Sequence, residues 1–152
     1  MIDNDRLKHS YAVAKKMIEI GKEYKLSDFE IQGLFVLGLN HDIGYEFGNN
    51  SNHNVIGGKL LKENDYKYWQ EVYYHGQTEC KYKSLYLDIL NMADMQVDKY
   101  GNDVGYDKRL EDIKIRYSEN SQTYLKCHKL INKLKEIKKY ENRNWFRWSC
   151  NW

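Results

Sequence analysis

The chain has 152 residues, enough for one domain with its own core, because folding at this length buries roughly 68–70% of the unfolded surface. Hydrophobic residues make up 41% and aromatic residues 14%, which excludes an intrinsically disordered chain. Lys and Arg total 24 against 22 Asp and Glu, and the formal charge of +2 excludes a strongly basic nucleic-acid binder as a description of the whole chain. That total is composite: residues 121–152 carry eight Lys or Arg and two Glu, while the 120 residues before them carry 16 basic and 20 acidic groups. There is no proline, so the commonest helix breaker is absent and an all-α protein is expected.

Helical periodicity runs along the chain. In the first segment Leu7, Tyr11, Ala14 and Ile18 form one stripe, with His9, Val13, Met17 and Ile20 beside it, and Gly21 stands where a C-cap is expected. Ser27-Asp28-Phe29-Glu30 reads as a capping box opening a second helix, whose apolar face runs through Ile31, Leu34, Phe35 and Gly38 to His41 and Asp42. The polar run from Gly48 to Asn52 is a loop, with Ser51 or Asn52 as N-cap of a third helix that has His53 in its first turn. Within that helix Gly57-Gly58 predicts close approach to another backbone.

A fourth helix, about Lys67 to Tyr74, places Tyr68 and Val72 on the face of His75 and stops at Gly76. A fifth, about Ser84 to Lys99, sets Leu87, Leu90, Asn91 and Asp94 on one side. After a loop at 100–106 come a short helix from about Asp107 to Tyr117 and a last one from about Ser121, striped by Cys127, Leu130, Ile131, Leu134 and Ile137. The expected architecture is a compact helical bundle over 1–120, with a basic C-terminal helix and a Trp-rich tail (121–152) packing on the same domain. His128 reads as a surface residue, and the tail, with Trp145, Trp148 and Trp152, as a segment folding back over the bundle.

Cys80, Cys127 and Cys150 have no close pair of the zinc-knuckle or redox type, so free thiols in a reducing cytoplasm are expected. The acidic start, Met1-Ile2-Asp3-Asn4-Asp5, has no signal-peptide core, and the apolar run Leu34–Leu39 is far too short to span a bilayer. Both point to a cytoplasmic protein.

Four of the five histidines (His9, His41, His53 and His75) fall on or beside apolar stripes. A single buried histidine is ordinarily a hydrogen-bonded core residue. Here the doublet His41-Asp42 ends an apolar helix face, and Asp94 points inward on another. Buried carboxylates are costly unless paired or bound to metal. Imidazole and carboxylate without thiolate suit iron, manganese or zinc, and more loosely magnesium.

The ordered set His9, His41-Asp42, His53, His75 and Asp94 resembles the HD superfamily of metal-dependent phosphohydrolases, named for its His-Asp doublet. The likeness spans about residues 6–118 and includes Arg6-Leu7-Lys8-His9-Ser10-Tyr11-Ala12-Val13-Ala14, His41-Asp42-Ile43-Gly44-Tyr45, His53-Asn54-Val55-Ile56-Gly57-Gly58, Tyr74-His75-Gly76 and Met92-Ala93-Asp94-Met95. Tyr45 stands where many HD proteins carry lysine or histidine. With Arg109-Leu110-Glu111-Asp112-Ile113 and Arg116-Tyr117, this form looks like a bacterial subgroup.

The resemblance implies an HD-type helical bundle around a divalent centre. His9, His41, Asp42 and Asp94 would hold a first ion, and His53 and His75 a second bridged by Asp42. Iron and manganese lead, with magnesium, zinc, nickel and cobalt also compatible. His41 and Asp42 would be the catalytic doublet for hydrolysis of a nucleotide or other small phosphate ester, since a divalent cation lowers the pKa of bound water towards ~7. Lys59, Lys99 and Arg109 are candidate phosphate contacts, and Tyr45 and Tyr74 candidate donors to the ligands. Two further readings are a di-iron oxygenase of HD type with the same six ligands, and a non-catalytic regulatory or nucleic-acid-binding module using the basic, aromatic tail.

Overall fold

The computed structural model describes residues 3–47 and 52–149, with side chains as far as residue 137. Among these it has seven α-helices and no strand: α1 (Asn4–Glu23), α2 (Asp28–Asn40), α3 (His53–Glu63), α4 (Trp69–Tyr74), α5 (Leu85–Asp94), α6 (Gly105–Tyr117) and α7 (Gln122–Ser149). A single 3₁₀ turn, Ile43–Glu46, follows α2.

Local chemistry explains most of the boundaries. Asp3 accepts from the Arg6 backbone N–H to start α1. Ser27 and Glu30 complete the reciprocal capping box of α2: the Glu30 N–H donates to Ser27 Oγ, and the Ser27 N–H donates to Glu30 Oε2. Ser84 caps α5 by accepting from the Leu87 N–H. We expect Ser27→Ala to lower stability by about 1 kcal/mol in a urea titration, because Ser27 is exposed and acts through its cap alone. A loss below about 0.3 kcal/mol would contradict that account.

Of the two adjacent stripes of α1, His9, Val13, Met17 and Ile20 are all buried, and so is Ala14 of the other, while Leu7 and Tyr11 are 54% and 52% exposed. Gly21 is not a cap, since α1 runs on to Glu23 and Tyr24 caps it. Gly21 is instead buried against α2, where a Cβ would come within 2.7 Å of Leu34 Cδ1. Gly38 of α2 plays the reciprocal part: its Cβ would meet the Ala14 Cα at 2.6 Å. The two helices therefore cross with backbones almost in touch.

Helix α5 runs through the middle. Leu87, Ile89, Leu90, Met92 and Ala93 are all buried, so it is apolar on nearly every side, as a central helix must be. It ends at Asp94, five residues earlier than its periodicity predicts, because the chain leaves into a tight loop closed by a bridge between Val97 and Asp103. Leu130, Ile131 and Leu134 of α7 join Val13, Met17, Leu34, Leu37, Val72 and Leu90 in one core. The C-terminal helix is thus part of the same packed body as far as residue 137. The aromatic segment 144–152 lies outside the residues whose side chains are described.

Candidate metal centre

Each ligand-type residue is delivered by the end of a helix or by a face turned inward. His9 is buried on α1, five residues into the helix. His41 is the C-cap of α2, still in αR conformation, with Asp42 immediately beyond it. His53 opens α3, His75 caps α4 and Asp94 is the final residue of α5. Glycines bring these ends together. Gly57 packs on the Gly44 backbone, its Cβ position 3.0 Å from the Gly44 nitrogen, and Gly58 packs on Tyr73 at 2.5 Å. The close approach expected of Gly57-Gly58 is therefore between α3, the 3₁₀ turn and α4. Gly76, at φ +78°, turns the chain after His75, and its N–H donates to Asn91 Oδ1 of α5.

Six side chains meet there. Asp42 Oδ1 lies 3.3 Å from His41 Nε2, 3.4 Å from His53 Nε2 and 3.6 Å from His75 Nε2. Asp42 Oδ2 lies 3.3 Å from Arg6 Nη1 and 3.8 Å from His9 Nε2. Asp94 Oδ1 lies 2.9 Å from His9 Nε2 and 3.6 Å from His41 Nε2. His53 and His75 point Nε2 at each other across 3.2 Å.

The opposite ring nitrogens fix the tautomers. His9, His41 and His75 each direct Nδ1 at a backbone carbonyl: Asp98 at 2.8 Å, Gly38 at 2.7 Å and Val72 at 2.5 Å. A carbonyl only accepts, so each Nδ1 carries the proton and donates it. Every Nε2 then faces the carboxylates with a lone pair unless a second proton or a cation is shared between them. This Nδ1–H···O=C arrangement is how proteins orient imidazoles that bind metal through Nε2. His41 is the sharpest case: its side chain is fully buried and its Nε2 makes no hydrogen bond within the described residues.

Burial alone would lower the proton affinity of His41, but the charges of Asp42 and Asp94 outweigh it and raise its pKa to about 9. Burial alone would raise the Asp42 and Asp94 carboxyls, yet the histidines around them hold both below the ordinary carboxylate range. Glu71, a buried acid elsewhere in the bundle, differs: it accepts from the hydroxyls of Tyr82 and Ser84 and so needs no cation.

Two buried groups, His9/His41/Asp94 and His41/Asp42/His75, have ligand atoms close enough to hold a metal ion. His41 belongs to both, but its single Nε2 lone pair can serve only one ion at a time. The donor set of imidazole nitrogens and carboxylate oxygens fits a divalent transition metal.

Of the candidate phosphate contacts, Lys59 is exposed on α3, Lys99 lies 4.8 Å over the Tyr100 ring, and Arg109 pairs with Asp112 at 3.5 Å. Among the described residues no hydrogen bond or ion pair joins any of the three to the cluster. Tyr74 stacks on Tyr82, whereas Tyr45 stacks on His53 with centroids 4.0 Å apart. Sequence reasoning missed Arg6. The signal was available: Arg6 precedes His9 by three residues, one helical turn, and so shares its face. Comparison with protein-family models, with curated proteins and with solved structures finds no match for this chain.

Proposed function

We propose that this chain is a metal-dependent phosphohydrolase of HD type, acting in the cytoplasm on a nucleotide or another small phosphate ester. The observation that supports this reading best is the convergence of four histidine Nε2 atoms on Asp42 and Asp94. Three of those rings are held in the metal-binding tautomer by backbone carbonyls.

On this reading His9, His41, Asp42 and Asp94 would hold one cation, and Asp42, His53 and His75 would hold a second. This division uses the His41 lone pair once and gives every Nε2 a partner. Bound divalent cations, with iron or manganese best matched to the donors, supply an acidified water and Lewis acidity towards a phosphoryl oxygen. The chain's own residues do the rest. Asp42 spans the two halves of the cluster, and the three anchored imidazoles keep it from turning. The buried walls exclude bulk water, which strengthens charge interactions inside.

The reading is tested with protein loaded separately with manganese and with ferrous iron, assayed on phosphomonoesters, phosphodiesters and dinucleoside polyphosphates. The expected result is phosphate release from one class that stops on chelation and returns with metal. A metal-loaded protein inert on the whole panel contradicts the reading. Oxygen consumption by the ferrous form with a polyol or phosphonate would assign the oxygenase instead.

A further inference from the structure

Arg6 is the feature that the metal centre does not explain. Its guanidinium carbon lies 3.3 Å from the centroid of the Tyr45 ring, and Tyr45 in turn stacks on His53 at an interplanar angle of 15°. Arg6, Tyr45 and His53 therefore form three successive layers, with the guanidinium fixed in position relative to a ligand imidazole. Nη1 donates to Asp42 Oδ2, which occupies one of five N–H donors. The side chain of Arg6 is 28% exposed, whereas those of Asp42 and His9 are 7% exposed. Arg6 is thus, with His53 at 20%, a solvent-facing member of the cluster, and one of its N–H groups holds a ligand carboxylate.

We propose that Arg6, carried on Tyr45, forms an oxyanion subsite that receives two non-bridging oxygens of the substrate's phosphoryl group beside the metal centre. The proposal rests on the phosphohydrolase reading and names its recognition residue. A planar fork of N–H donors matches a tetrahedral oxyanion bidentately, which a lysine ammonium does not. Arg6 is also the Lys or Arg side chain, among the described residues, that hydrogen-bonds to the cluster. A phosphoryl group drawn to cations on Asp42 from the solvent side would meet this fork.

The test uses inorganic phosphate as probe. Wild type, Arg6→Gln and Arg6→Lys are loaded with manganese, their metal content is measured, and phosphate is titrated calorimetrically. We expect Arg6→Gln to keep its metal while phosphate binds roughly 10- to 100-fold more weakly, as for the loss of a charged hydrogen-bonding partner. On the best ester KM should rise more than kcat falls. Arg6→Lys should recover little of the affinity, having charge without the fork. If Arg6→Gln does not fold, the same titration of Arg6→Lys decides, and undiminished binding overturns the proposal. Unchanged phosphate affinity in folded, metal-loaded Arg6→Gln also overturns it. So does loss of metal in that variant, which would make Arg6 a prop for Asp42. Wild-type protein that carries metal but neither binds phosphate nor hydrolyses any ester would instead overturn the phosphohydrolase reading itself.

Discussion

Replacing Asp42 with asparagine is expected to abolish metal binding and any metal-dependent activity together. Asp42 is the one acid that approaches all four histidines of the cluster and Arg6 as well. Asparagine keeps the shape and removes the charge, so the Nε2 atoms of His41, His53 and His75 would lose the anion they share. Loss of a residue that merely supports a ligand weakens metal affinity about 10- to 100-fold, and loss of the shared ligand should exceed about 100-fold. Elemental analysis after dialysis measures this directly. Asp103→Asn is the matched control: that acid is exposed and pairs with Lys16, and its variant should keep full metal content. Full metal occupancy in Asp42→Asn would sink the assignment of the centre.

The second large effect falls on a residue with no functional group. A Cβ on Gly44 would overlap the carbonyl oxygen of His53 and lie 2.6 Å from its carbon and 2.8 Å from the Gly57 nitrogen. All three are backbone atoms, so no side-chain rotation relieves the clash. The 3₁₀ turn and the first turn of α3 must separate. Gly44→Ala should therefore cost about 3 kcal/mol or more, at the upper end of overpacking effects. For a domain of this size that corresponds to a fall in Tm of roughly 6–12 °C. Metal affinity should fall as well, since the displaced segment carries His53. A variant that melts within about 1 °C of wild type would show that the two backbones are not held together as described.

How far the sequence could be read depended on whether a feature was local. The Ser27–Glu30 box and the doublet Gly57-Gly58 were legible because each requirement lies within a few residues: a reciprocal pair of hydrogen bonds in one case, the absence of side chains in the other. Imidazoles and acids on apolar faces marked candidates one by one, but their grouping as one ordered set of six came from the resemblance to the HD superfamily. The inward side of α1 was ambiguous, since two adjacent stripes satisfy the same period and only packing against α2 and Asp94 selects the one with His9. Gly21 stood near enough to a helix end to resemble a cap, although its role is contact with Leu34. The early end of α5 depends on a loop that returns the Asp98 carbonyl to His9, a pairing across 89 residues. Arg6 was passed over because a cation in the first turn of a helix ordinarily faces solvent.

The cluster draws its members from five separate segments, with His9 and Asp94 in contact across 85 positions of sequence. An ion bound to them would act as a cross-link between chain regions that are far apart in the unfolded state. Like a long-range disulfide, it would restrain large loops at once, but reversibly and with a strength set by ion concentration. Because the unfolded chain cannot gather these ligands, the ion's binding free energy would add to folding. Folding and metal acquisition would then be a single linked equilibrium, and starving the protein of its ion would loosen the bundle as well as silence its centre.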